Sequence, residues 1–219
     1  MVPTMSTFFF SHNVYENLSL RPADLQGWQV DSDAYTKLVK EMRPSVIIEV
    51  GVWKGCTTIG FAEAMKAQNI KGKVLAVDTW LGALEFWTKH IDGVDDEKRD
   101  LQCVNGFPSV YYTFLSNVVH RGVQDYVIPL PMPSTMAAAL VRGKSVVADV
   151  VHVDASHEYK DVLDDLRAWW PLLRAGGVFL LDDYTNPFFP GVRKAVDEFA
   201  REVKRPVTRY SNLKHLIRK

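Results

Sequence analysis

Five acidic residues of this 219-residue sequence share one placement, at or beside the end of a short apolar run. Glu49 sits one residue from the end of the run 46–50, and Asp78 closes the run 73–78. Asp154 closes 149–154, while Asp182 and Asp183 end the run that starts at Val178. Short β-branched runs of this kind read as strands buried on both faces. Parallel sheets bind ligands at the carboxyl ends of their strands, so the five acids face one mouth. His157 stands three residues after Asp154 and can reach the same mouth. Its ordinary pKa of about 6.5 suits a general base, although a histidine at a helix start equally suits a backbone hydrogen bond.

The stretch 45–58, SVIIEVGVWKGCTT, carries the second signal. Gly51, directly after a buried strand, lets the chain turn sharply and brings backbone close to a ligand. The N–H groups of the following helix then face a negative group. A dinucleotide fingerprint needs glycine at the first, third and sixth positions of the turn. Those positions hold Gly51, Trp53 and Cys56. A phosphate P-loop needs Gly-Lys-Ser/Thr, and Gly55 is followed by Cys56. Asp78, 23 residues after Gly55, ends the next strand. An acid there accepts hydrogen bonds from the two ribose hydroxyls of a nucleoside cofactor, the favoured reading, or else caps the next turn.

The elements that position these groups alternate. Asp31, Ser32 and Asp33 are N-cap candidates for a helix through Ala34, Leu38, Val39 and Met42, ended by Arg43-Pro44. Helices are expected over 57–66, 109–120, 135–140, 160–173 and 192–203, and strands over 46–50, 73–78, 126–130, 149–154 and 178–182. Ala175-Gly176-Gly177 is expected to stop the fourth of those helices. Residues 206–210 and 213–218 form a closing antiparallel hairpin around Ser211-Asn212. Five strand–helix units with right-handed crossovers give a mostly parallel sheet. Residues 79–108 mix Trp80, Phe86 and Trp87 with His90, Asp92, Gly93, Asp95 and Asp96, as expected of a lid or substrate wall. Residues 1–32 form a cap segment and 33–219 the domain.

Bulk composition narrows the function. Apolar residues make up 47% and charged residues 24%, with 26 basic against 26 acidic side chains, so no basic field points to nucleic acid. Cys56 and Cys103 form neither a metal spacing nor a disulfide framework, which suits a reducing, cytoplasmic setting. Phe8-Phe9-Phe10 is too short for a signal core, and no run is long enough to span a membrane.

The segments EVGVWKG, VDTW, DASHEYKDVLDDLRAWWPLLRAGG and LLDDY resemble those of class I methyltransferases that use S-adenosylmethionine (SAM). The resemblance covers 33–219 and is closest to the macrocin O-methyltransferase and cephalosporin hydroxylase-like group. It implies a Rossmann-like α/β fold, with a mostly parallel seven-stranded sheet and a C-terminal antiparallel hairpin. It implies Glu49, Gly51 and Gly55 around the methionine part of SAM and Asp78 on the ribose. The full cofactor set is Glu49, Gly51, Val52, Gly55, Thr57, Asp78, Thr79, Trp80, Ser134 and Asp154. Ser134 either caps its helix or donates to adenine. Asp154, Asp182 and Asp183 match the positions that bind a divalent cation in metal-dependent members, where all-oxygen ligands favour magnesium, or else calcium or manganese, over zinc. Trp53 departs from the commoner form with a middle glycine, and the turn at Pro131-Met132-Pro133 lacks the acid or amide often found near adenine.

Methyl transfer needs an acceptor oxygen placed against the methyl group and its proton removed, here by His157 with Asp154. Three carboxylates at neighbouring strand ends repel unless a cation lies among them, and a bound ion would lower the acceptor's pKa. The expected activity is O-methylation of a small hydroxylated molecule, a sugar or natural product, without nucleic acid or membrane; a homo-oligomer is left open. The alternatives are a SAM- or nucleotide-binding domain without methyl transfer, or a cephalosporin hydroxylase-like protein.

Overall fold

In the computed structural model, which describes residues 9–27, 31–88 and 101–219, the run Val46–Val50 is the middle strand, β1, and is buried along its whole length. Helix α1, Ser32–Met42, precedes it, capped by the Asp31 carboxylate accepting from Ala34 N at 3.0 Å. After β1 come α2 (Cys56–Ala67), β2 (Lys73–Asp78), the single turn α3 (Glu85–Thr88) and α4 (Val110–His120). They continue with β3 (Val127–Pro131), α5 (Ser134–Gly143), β4 (Ala148–Val153) and α6 (Tyr159–Trp169). The chain closes with β5 (Leu173–Leu181), α7 (Pro190–Val203), β6 (Thr208–Arg209) and β7 (His215–Arg218).

The seven strands lie in the order β3-β2-β1-β4-β5-β7-β6, with β7 antiparallel to both neighbours and the rest of the ladder parallel. Strand order reverses between β1 and β4, which opens a crevice at their carboxyl ends. Side chains alternate between two apolar layers. Val46, Ile48 and Val50 face α5, α6 and α7 through Val141, Leu166 and Phe199. Ile47, Val74, Ala76 and Leu180 face α1, α2 and α4 through Leu38, Phe61 and Phe114. This is the expected α/β fold.

Two local expectations need correction. Helix α6 ends at Trp169 and passes through a 3-10 turn, Trp170–Leu172, because Pro171 cannot supply the next helical N–H. Gly176 and Gly177 therefore do not stop a helix. They lie inside β5, where pairing skips from Ala148↔Leu173 to Val150↔Val178. Gly176 takes φ +74°, and a side chain at Gly177 would meet Asp149 O at 2.9 Å. The hairpin strands are also shorter than expected, since Tyr210 N turns to Lys214 O at 2.9 Å.

Residues 9–27 lie against α4 and β3. Tyr15 OH donates to Val127 O, Asp24 N donates to Asn117 Oδ1, and Asn117 Nδ2 donates back to Asp24 O. The centre of the connection expected as a lid, with His90, Asp92, Gly93, Asp95 and Asp96, lies outside the described residues. Among the described residues no helix is long and apolar enough to cross a membrane.

Candidate active site

The loop from β1 to α2 is held by close backbone approaches. Gly51 takes φ +88°, and a Cβ there would lie 2.0 Å from Asp154 O at the end of β4. Gly55 takes φ +91° at the N-cap of α2, where a Cβ would meet the Phe114 ring at 2.6 Å. Only glycine satisfies both demands at these two points. Asp78, at the end of β2, completes the loop: its Oδ2 accepts from Val52 N at 2.8 Å and Trp53 N at 2.9 Å, and its Oδ1 from Trp80 N at 2.7 Å. A carboxylate offers about four lone-pair positions, so Asp78 shapes the loop and retains room for one further donor.

The other expected cofactor residues divide. Trp80 is buried and donates its indole N–H to Trp53 O at 2.7 Å, so it supports the loop from beneath. Thr57 Oγ1 donates to Tyr35 OH at 3.3 Å, and Thr79 Oγ1 accepts from Leu81 N at 3.2 Å. Ser134 neither caps α5 nor has its proton to spare for adenine. Its hydroxyl accepts from Trp169 Nε1 at 2.8 Å and donates to Asp165, joining α5 to α6. Lys54, inside the glycine loop, is buried; its ammonium reaches Asp24 at 2.7 Å and Gln26 at 2.5 Å, tying residues 9–27 to the loop.

Beneath the loop runs a buried polar row. Register places Glu49 of β1 beside His152 of β4, on the face covered by α1 and α2. Glu49 accepts from the Thr58 hydroxyl and stands 3.2 Å from His152 Nδ1. Burial pushes its carboxyl up to about 8, against partial relief from Thr58 and the Lys214 charge. Burial, with Lys214, pushes His152 down to about 3. His152 Nε2 is buried without a hydrogen-bond partner. Glu49 thus faces this row and not the crevice.

At the crevice mouth, His157 Nε2 lies 3.2 Å from Asp183 Oδ2, and its ring stacks on Phe189 at 3.7 Å. Asn186 Nδ2 donates to Asp183 Oδ1 at 2.7 Å. Burial alone would raise Asp183, but the bonds from His157 and Asn186 outweigh it and hold the carboxyl below its ordinary value. Asp154 is pushed well above the carboxylate range by burial and by the charge of Asp182.

The three aspartates expected to share an ion are divided between two partners. Asp182 Oδ2 accepts from the ammonium of Lys214, a buried residue just before β7, and its Oδ1 accepts from Asp183 N at 2.8 Å. Every carboxylate oxygen of Asp182 and Asp183 therefore has a donor from this chain. Two other groups, His152–Asp154–Asp182 and Asp154–His157–Asp183, bring their ligand atoms within 4.8 Å of one another. The first shares Asp182 with Lys214, and the second already pairs His157 with Asp183. Asp182 and Asp183 fall in different groups, each with Asp154, so among the described residues the three expected aspartates do not bring one oxygen each to a common point for a single divalent cation. Sequence reasoning missed Tyr35, Thr58, His152 and Lys214, though a lone histidine within the apolar run DVVHVD is a visible signal.

A glycine loop pressed on the end of β4, below an acid-and-histidine mouth, is matched by a family profile described as a methyltransferase domain, over residues 48–184. The chain belongs to that family. Solved structures extend the likeness of fold. The O-methyltransferase NovP aligns with a TM-score of 0.60 at 19% identity, covering 86% of this chain and 77% of NovP. An O-methyltransferase from Bacillus cereus in complex with SAH aligns at 0.61 and 16% identity, covering 100% and 93%. CalS11, a TDP-rhamnose 3′-O-methyltransferase of calicheamicin biosynthesis, aligns at 0.57 and 17%, covering 85% and 76%. Among curated proteins, the uncharacterized protein y4gI of Sinorhizobium fredii is 29% identical over 147 residues, 67% of this chain but 14% of y4gI. The chain thus has the fold of the class I SAM-dependent enzymes.

Proposed function

We propose that this methyltransferase moves the methyl group of SAM to a hydroxyl oxygen of a small acceptor, a sugar or natural product. One observation carries the reading: Gly51 lies against the backbone of Asp154, so the cofactor loop and the Asp154–His157–Asp183 mouth form one site. SAM lies with its methionine end over Gly51 and Gly55 and one ribose hydroxyl on the remaining position of Asp78. The acceptor oxygen attacks the methyl carbon in line, the C–S bond breaks, and its electron pair neutralises the sulfonium. The hydroxyl proton passes to His157, and the imidazolium that forms is paired with Asp183. Asp154, grouped with His157 and Asp183 at the mouth, is placed to hydrogen-bond the acceptor hydroxyl. The small-acceptor class follows the sugar and natural-product O-methyltransferases that share the fold.

Screening hydroxylated acceptors for release of S-adenosylhomocysteine tests this reading. With an acceptor in hand, His157→Gln should lower kcat by roughly 10²–10⁴-fold while SAM affinity is retained. An unchanged kcat would remove His157 from the chemistry.

A further inference from the structure

We propose that the ammonium of Lys214 is the resident cation of this carboxylate cluster, standing at Asp182 in the place a divalent ion would take, so that the site holds no metal. This rests on the methyltransferase reading for the meaning of the site, but its geometry and its test stand apart from that reading.

The hairpin dictates where Lys214 goes. Strand β7 runs antiparallel to β5, so its amino end lies at the carboxyl end of β5, beside the crevice. Leu181 pairs with His215, and one step further the register sets Lys214 opposite Asp182. The turn before it is fixed by Lys214 N donating to Ser211 Oγ at 3.0 Å and Tyr210 N donating to Lys214 O at 2.9 Å. The side chain is buried, and its Nζ lies 5.7 Å from the centre of the Tyr35 ring, which favours a cation. A buried ammonium is tolerated only where opposite charge surrounds it. Here Asp182 bonds it directly, and Asp154 lies in the same cluster with Asp182 and His152.

The same contacts disfavour a metal. A divalent ion at Asp182 would sit within hydrogen-bond range of a fixed positive charge. At the mouth it would have to displace the His157–Asp183 pair. Lys214 is thus a positioning residue: it neutralises Asp182 and leaves Asp154 and His157 to face the acceptor.

Mn2+ alone, titrated into the metal-stripped full chain and followed by electron paramagnetic resonance, is the probe. The wild type should show no one-to-one site, and its SAM affinity should be the same in EDTA as in Mg2+. Lys214→Met keeps the stem and removes the charge. It should gain a single Mn2+ site at least about tenfold tighter than any wild-type binding, lost again when Asp182→Asn is added. Lys214→Arg keeps the charge and should gain none. One-to-one Mn2+ binding by the wild type that Asp182→Asn abolishes would overturn the proposal, as would a folded Lys214→Met that gains no affinity. If Lys214→Met does not fold, the wild-type and Lys214→Arg titrations decide. Failure of the methyltransferase reading would appear separately, as absence of SAM binding.

Discussion

His152 Nδ1 stands 3.2 Å from Glu49 Oε1, and neither side chain reaches solvent. Two ionisable groups buried beneath a cofactor loop make stability depend on pH in opposite senses. The Glu49 carboxyl keeps its proton to about pH 8 in the folded chain, against 4.5 when exposed. The folded state then binds the extra proton, and stability falls as pH rises through that window. His152 stays neutral down to about 3, against 6.5 when exposed, so stability falls as pH drops from 6.5. The slopes oppose each other between 4.5 and 6.5, and from 6.5 to 8 only that of Glu49 remains.

Glu49→Gln removes this alkaline slope. Relative to the wild type, the variant should gain stability from pH 6.5 to pH 8, by up to about 1.4 kcal/mol per pH unit. Thermal melts of both proteins across that range check it. A constant difference in Tm would show that Glu49 is already ionised in the folded chain.

Asp78 carries two duties, one seen in three backbone hydrogen bonds and one proposed on the ribose. Asp78→Asn turns an acceptor oxygen into a donor facing backbone N–H groups. Charge-assisted bonds contribute roughly 1.5–3 kcal/mol each. SAM should therefore bind at least about tenfold more weakly, which calorimetry would read directly. Affinity within about twofold of the wild type would detach Asp78 from the cofactor.

Much of this site is legible in one dimension because it depends on local pattern. A buried run followed by Gly51 predicts the turn, and acids at run ends predict their convergence, since parallel strands share a carboxyl edge. Lys214 is not legible that way. Its contact with Asp182 needs β7 inserted between β5 and β6 and a particular antiparallel register, neither of which has a local signature. The role of Gly176 and Gly177 is hidden from local pattern for a related reason. Two glycines after a helix suggest a cap, and only the β4–β5 register reveals a bulge. Ser134 has cap chemistry at a helix start, but the buried Asp165 and Trp169 of α6 claim its hydroxyl.

Asp183 is expected to act through His157. Asp183→Asn weakens the bond to Nε2 and removes the charge that favours the imidazolium. The acid limb of the kcat profile should move to lower pH and the maximal rate should fall, with SAM affinity unchanged. A profile that keeps its position while only Tm drops would assign Asp183 a structural part alone.

SAM is proposed to bind on the Gly51 loop, against the end of β4. Isothermal titration of the full chain with SAM, and separately with NAD, tests it most directly, with Gly51→Ala as the paired variant. A side chain at φ +88° carries roughly 1–3 kcal/mol of backbone strain, and its Cβ would lie 2.0 Å from Asp154 O. One SAM should bind per chain, NAD should not bind, and a folded Gly51→Ala should bind SAM at least about tenfold more weakly. Binding of NAD in preference to SAM, or SAM affinity indifferent to Gly51→Ala, would contradict it.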